Sequence, residues 1–168
     1  MEKPRHPFVE YLEGLREDRG ALAALRRGLG QPPGTVAGMY RYVVPWLPDE
    51  ASRRQEAAYY LLAALFAYHP AGQDTGNMGN HFARTCEPGG DNTAIERRFT
   101  ALLAAHPDDL DSYLRQAISF LRSKEVPVNW QQLFSDLQRW HYENRTVQRD
   151  WARSFWGRRQ ETQTTKER

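Results

Sequence analysis

Apolar residues recur along this chain at three- and four-residue steps, the spacing that gathers them on one face of a helix. Phe8, Leu12 and Leu15 start an amphipathic helix, and Leu22, Leu25 and Leu29 continue the stripe on the turns after Gly20. Gly28, Gly30, Pro32, Pro33 and Gly34 then break the chain, because glycine and proline punctuate helices. A shorter helix is predicted from Val36 to Val44, ending before Pro45, and Pro48-Asp49 opens a long one that runs to His69 and stops at Pro70. Within it, Ala57 to Tyr68 is apolar all round, so Leu62 has no face left for solvent.

Residues 70–93 are rich in Gly, Asn, Asp and Thr and form the one long irregular segment, with a helical turn or two around Met78 to Arg84. Past it the helical period returns. Thr93 to Glu96 has capping-box spacing ahead of Ile95, Phe99, Leu102 and Leu103. Pro107 suits a first helical position, and Asp108, Asp109 and Asp111 suit the positive end of the helix that carries Leu110, Leu114, Ala117, Ile118 and Leu121. Asn129 and Gln132 have cap spacing before Trp130, Leu133, Phe134, Leu137 and Trp140, and a last helix carries Val147, Trp151 and Phe155. No stretch alternates with period two. The expectation is an all-α fold of two packed helical bundles joined by a long irregular loop: residues 1–92 with that loop, 93–157, and a disordered tail over 158–168.

A length of 168 residues suits one domain or two small subdomains, and 40% hydrophobic residues supply a core. The longest apolar stretch is too short to cross a bilayer, and the polar, proline-broken start does not read as a signal peptide. Cys86 is the only cysteine, so no intrachain disulfide and no four-cysteine zinc site can form. A soluble cytoplasmic protein without membrane partner is expected.

The net charge of +2 is uninformative, but the kind of base is not: of 23 basic residues, 20 are Arg and three are Lys. Guanidinium grips phosphate bidentately and stacks on bases. Arg145, Arg149 and Arg153 recur every four residues opposite Val147, Trp151 and Phe155, which reads as an outward ridge. Arg115 and Arg122, seven apart, share a face; Arg97 lies opposite the Ile95/Phe99 stripe with Arg98 at its flank; Arg53-Arg54 opens the long helix and Arg26-Arg27 closes the second. The bland alternative is a solvated face, with Glu96, Asp136, Glu143 and Asp150 as pairing partners.

Catalytic chemistry is thin. Cys86 and His81 lie near each other in the loop without a nucleophile motif around them, and the five histidines are scattered, so no catalytic residue, metal site, cofactor or small-molecule substrate is assigned. Gly76 to Asn80 is glycine-rich, but without a preceding strand or a GK[ST] sequence it is no P-loop. Its bland reading is a tight turn, its other one a backbone contact to nucleic acid.

These residues together resemble the CasB family, the small subunit of the type I-E CRISPR Cascade complex. The resemblance runs from about Phe8 to Trp156 and rests on LRRG (Leu25 to Gly28), YRYVVPWLP (Tyr40 to Pro48), AAYYLLAALFAYH (Ala57 to His69), GNMGN (Gly76 to Asn80), IERRFTALLAA (Ile95 to Ala105), LRQAISFL (Leu114 to Leu121) and VPVNWQQLFSDLQRW (Val126 to Trp140). It implies a non-enzymatic, self-associating subunit that contacts the crRNA–target region and the displaced strand of a crRNA-guided complex, beside other Cascade subunits, without reading bases. The family's basic positions match Arg26-Arg27, Arg53 or Arg54, Arg97-Arg98 and Arg115, whereas Gln116 stands where a second basic residue is often found. Arg122, Arg145, Arg149 and Arg153 rest on spacing alone. The function expected is R-loop stabilisation by sequence-independent arginine–phosphate contacts. The alternatives are a helical protein–protein adaptor without nucleic-acid contact and a Cys86/His81 hydrolase.

Overall fold

A computed structural model describes residues 3–157. Over these residues the chain is helical, with no strand, as the apolar spacing predicts; a lone parallel bridge pairs Gly72 with Val128. The tail expectation, residues 158–168, lies outside the described residues.

The first stripe divides in two. α1 (Pro7–Glu13) ends at Gly14, and α2 (Arg19–Arg26) restarts where the Asp18 side chain accepts the Ala21 backbone N–H at 3.0 Å. Gly20 therefore sits inside α2 rather than before it, because the aspartate cap outweighs one glycine's helix penalty. Phe8, Val9 and Leu12 from α1 and Leu22 and Leu25 from α2 face the core. After the Gly/Pro segment come a 3₁₀ turn (Ala37–Met39), the short α3 (Tyr40–Val43) and a second 3₁₀ turn (Val44–Trp46) that takes in Pro45.

The long helix, α4 (Arg53–Tyr68), begins later than Pro48-Asp49 suggests. Ser52 and Gln55 make a reciprocal capping box, which satisfies two otherwise orphaned backbone N–H groups and sets the start. Leu62 is fully buried. α5 (Met78–Ala83) is the short helix expected inside the irregular segment.

α6 (Thr93–Leu103) does not use Thr93 as its cap. The Thr93 hydroxyl and backbone N–H both donate to Asp91 at 2.6 and 3.0 Å, and the helix starts behind Asn92 instead. Pro107–Asp109 is a 3₁₀ turn leading into α7 (Leu110–Ser123). α8 (Trp130–Arg139) is capped as the spacing predicts, with Asn129 accepting the Gln132 N–H at 3.1 Å. α9 (Thr146–Ala152) closes the described chain with a π turn, Arg153–Gly157.

The buried residues form one continuous cluster to which each of α1 to α9 contributes. α4 is its axis: it packs on α2 and α3 and also on α7 and α8. Aromatic pairs knit the far ends, among them Phe8–Phe134, Phe66–Trp130, Phe82–Phe99, Phe99–Phe155 and Trp140–Trp151. Among the described residues no helix is long and apolar enough to cross a membrane.

Candidate nucleic-acid interface

All eleven arginines singled out above are exposed. Among the described residues the ion pairs gather on Arg5 and on Asp136–Arg139, His106 Nδ1 lies 3.5 Å from Asp108, and none of these contacts involves the eleven. Of the carboxylates expected as partners on a solvated face, Asp136 is taken by the core instead. It is buried and accepts the Trp151 indole N–H at 2.8 Å, the Gln132 amide at 2.8 Å and Arg139 at 2.9 Å, clamping α8 to α9. Burial pushes its carboxyl above the usual range, against the pull of those three donors.

The fold brings some of the arginines together. Arg53 and Arg54 on the first turn of α4 and Arg115 on α7 line one cavity of about 430 Å³. The Arg115 guanidinium packs against Gly30, at φ +74°, where a Cβ would meet it. Arg53 and Arg54 stand at the positive end of a 16-residue helix, which reinforces their pull on an anion. Arg122 lies on the same face of α7 two turns on, about 10.5 Å away along the axis, with its guanidinium over the Tyr68 ring at 4.6 Å. Arg122 and Ser119 together hold the Tyr68 phenol below its usual range, the Ser119 hydrogen bond counting most. Arg98 stacks on Phe120 at 4.6 Å, with Lys124 at 5.9 Å from the same ring. These cation–π contacts hold flat guanidinium groups at the surface. Arg97 is exposed beside Arg98, and Arg26-Arg27 ends α2 just before the glycine segment that walls the cavity.

The ridge on the last helix is not a single row. Arg145 lies before α9 in a left-handed conformation, φ 53°, and donates to the Leu103 carbonyl at 2.7 Å. That bond satisfies the end of α6 and turns Arg145 away from a helical register. Arg149 is on α9 and shares a shallow groove with Arg145, whereas Arg153 starts the π turn, where the helical step changes.

Sequence spacing misses several residues at these sites. Asp108, Asp111 and His141 also line the cavity, and Lys124 joins the Phe120 stack. Lys124, just past the end of α7, and Asp111, one helical turn before Arg115, were within reach of a periodicity argument.

The loop candidates are occupied by the fold. His81 is buried, with Nε2 accepting the Asn129 backbone N–H at 3.0 Å and Nδ1 2.9 Å from the Gln73 side-chain amide. Burial, with Arg84 nearby, pushes its pKa down to about 4. Both ring nitrogens are therefore engaged away from Cys86, whose Sγ lies 3.9 Å from the Phe82 carbonyl. In Gly76 to Asn80, Asn77 and Asn80 cap α5 reciprocally, and Asn77 also donates to Ser154 at 2.9 Å. A Cβ at Gly79 would collide with the Trp151 carbonyl, so this segment seats α5 on α9. Among the described residues no three His, Cys, Asp or Glu side chains gather as a metal site.

Comparison with known proteins gives a consistent result. The family model described as CRISPR-associated protein Cse2 matches residues 21–156. A CRISPR-associated protein Cse2 of Thermus thermophilus is 35% identical over 159 residues, covering 92% of this chain and 90% of that protein. Among solved structures, CasB from Thermus thermophilus is similar at 31% identity and a TM-score of 0.80, covering 94% of this chain and 99% of that one. CasB of M. ruber is similar at 29% identity and a TM-score of 0.80, over 94% and 95%. A chain of a CRISPR RNA-guided surveillance complex in a pre-nicking state is similar at 29% identity and a TM-score of 0.80, over 96% of each.

Proposed function

The chain belongs to the CRISPR-associated Cse2 family, and from that premise we propose that it is a non-catalytic, nucleic-acid-binding small subunit of a crRNA-guided surveillance complex, holding the opened R-loop by sequence-independent arginine–phosphate contacts. The observation that carries this reading is the set of exposed arginines without carboxylate partners among the described residues. Free guanidinium groups release counterions from a nucleic-acid backbone when they meet its phosphates. Opening a duplex against a guide is nearly balanced in free energy, so a few backbone contacts bias it.

The working surface of this proposal comprises Arg53, Arg54, Arg115, Arg122, Arg97 and Arg98, extended by Arg26 and Arg27. Arg149 with Arg145, and Arg153, form a separate edge. Its partners are the crRNA and target-DNA backbone, the other Cascade subunits and a second copy of this chain. The net charge near zero opposes self-association little, and sedimentation velocity at rising concentration is expected to show a growing dimer fraction. The phosphate contacts are tested by titrating the full chain with two single-stranded DNAs of unrelated sequence at increasing salt. Equal affinities that fall together with salt support the reading. Binding that ignores salt, or no binding at all, favours a protein–protein adaptor.

A further inference from the structure

The cavity at Arg53, Arg54 and Arg115 has more structure than a phosphate track needs. Its volume of about 430 Å³ lies within the roughly 300–1,000 Å³ typical of small-molecule sites. Its lining is mostly apolar, with Leu61, Met39, Tyr60 and Trp140 among the wall residues, yet Arg53, Arg54 and Arg115 also belong to it, and so do Asp108 and Asp111. Asp111 and Arg115 are one helical turn apart on α7 but form no ion pair; Arg115 packs over Gly30 instead. Both charge signs are thus available to a ligand.

We propose that this cavity is a nucleotide site, taking one nucleoside phosphate unit with the phosphate at Arg53, Arg54 and Arg115 and the base inside. Each part of the wall matches one part of that ligand. Arginine forks bind phosphate oxygens bidentately. Aromatic and aliphatic side chains accept the flat face of any base. Aspartate carboxylates accept hydrogen bonds from exocyclic amino groups, as they do from cytosine N4. Gly30 and Gly34, both at positive φ, shape the wall loop so that its backbone and Arg115 can pack together. A purely apolar ligand would leave the arginines unanswered, and inorganic phosphate would leave the apolar interior unfilled.

The nucleotide can come from a single strand threaded over the arginines or from a free mononucleotide, and for the strand the inference rests on the reading above. The test uses the full chain and three probes: a short deoxyadenosine strand, an abasic strand of the same length, and adenosine 5′-monophosphate. Threading predicts that the deoxyadenosine strand binds roughly five- to a hundredfold more tightly than the abasic one. Ala57→Phe, which puts a ring into the cavity from α4, should bring the two affinities together. Arg115→Gln is a second variant, expected to weaken the preferred strand more than the abasic one. Equal strand affinities combined with saturable binding of the monophosphate, lost in Ala57→Phe, support the site with a free nucleotide as its ligand. Equal strand affinities without monophosphate binding overturn the proposal and leave the phosphate track standing. If neither strand binds, it is the phosphate track that falls, and the monophosphate titration alone decides the cavity.

Discussion

Replacing Asp136 by Ala should be among the most damaging single changes in the C-terminal half. The carboxylate is buried and accepts three hydrogen bonds, from Trp151, Gln132 and Arg139. Removing it strands the fully buried indole N–H of Trp151, at about 1–3 kcal/mol, and deprives Arg139 of its ion-pair partner. Breaking a buried pair by deleting one member costs about 3–5 kcal/mol. Part of that is returned here, because burial already works against the charged form of Asp136 and Arg139 remains partly solvated. A net loss of about 3 kcal/mol is expected, which for a chain of this size lowers Tm by about 6–12 °C at 2–4 °C per kcal/mol. Urea titration at neutral pH, followed by tryptophan fluorescence, measures the loss directly. Asp136→Asn should lose less, because an amide oxygen can still accept from the indole. A loss below about 1 kcal/mol in Asp136→Ala would refute the idea that this carboxylate clamps α8 to α9.

Acid should weaken the fold through His81. Its folded pKa, about 4, lies below the ordinary value near 6.5, so the unfolded chain takes up the proton first. The neutral ring's stabilisation is complete above about pH 6.5 and is lost as the pH falls towards 4, by up to about 3 kcal/mol; denaturant melts of His81→Gln should show a shallower decline over that window than the native chain. Leu62→Asp should abolish cooperative folding, because Leu62 has no exposure and an unpaired buried charge is severely destabilising; a sharp melt at the native temperature would contradict its placement in the core.

The helices were legible because each buries a stripe or, in α4 from Ala58 to Ala67, nearly every face. Trp130, Leu133, Phe134 and Leu137 are buried where their spacing places them, and so are Val147, Trp151 and Phe155. Helix starts were harder, because several residues compete to cap each one. Ser52 with Gln55 wins over Pro48-Asp49, and Asp91 takes the Thr93 hydroxyl away from α6. The arginine surface was legible only as exposure. That Arg115 meets the Gly30 loop beside Arg53 and Arg54 depends on how α7 crosses α4, a long-range contact that no local period encodes. Periodicity likewise could not foresee that Arg145 leaves the helix to bond the end of α6, since a left-handed residue breaks the register on which the ridge was drawn.

The most direct test of the phosphate-holding role is the salt dependence of single-strand binding after Arg53, Arg54 and Arg115 are all changed to Ala. The fold should survive, because all three side chains are exposed, none joins a carboxylate among the described residues, and alanine is the better helix former. Each phosphate neutralised on a single strand contributes a slope of about 0.7 in log affinity against log salt, so removing all three guanidinium groups should flatten it by about 2. The flattening should be the same for every sequence tested, because phosphate contacts carry no base information. An unchanged slope in a fully folded triple variant would contradict the account and leave these arginines as solvent-facing charge.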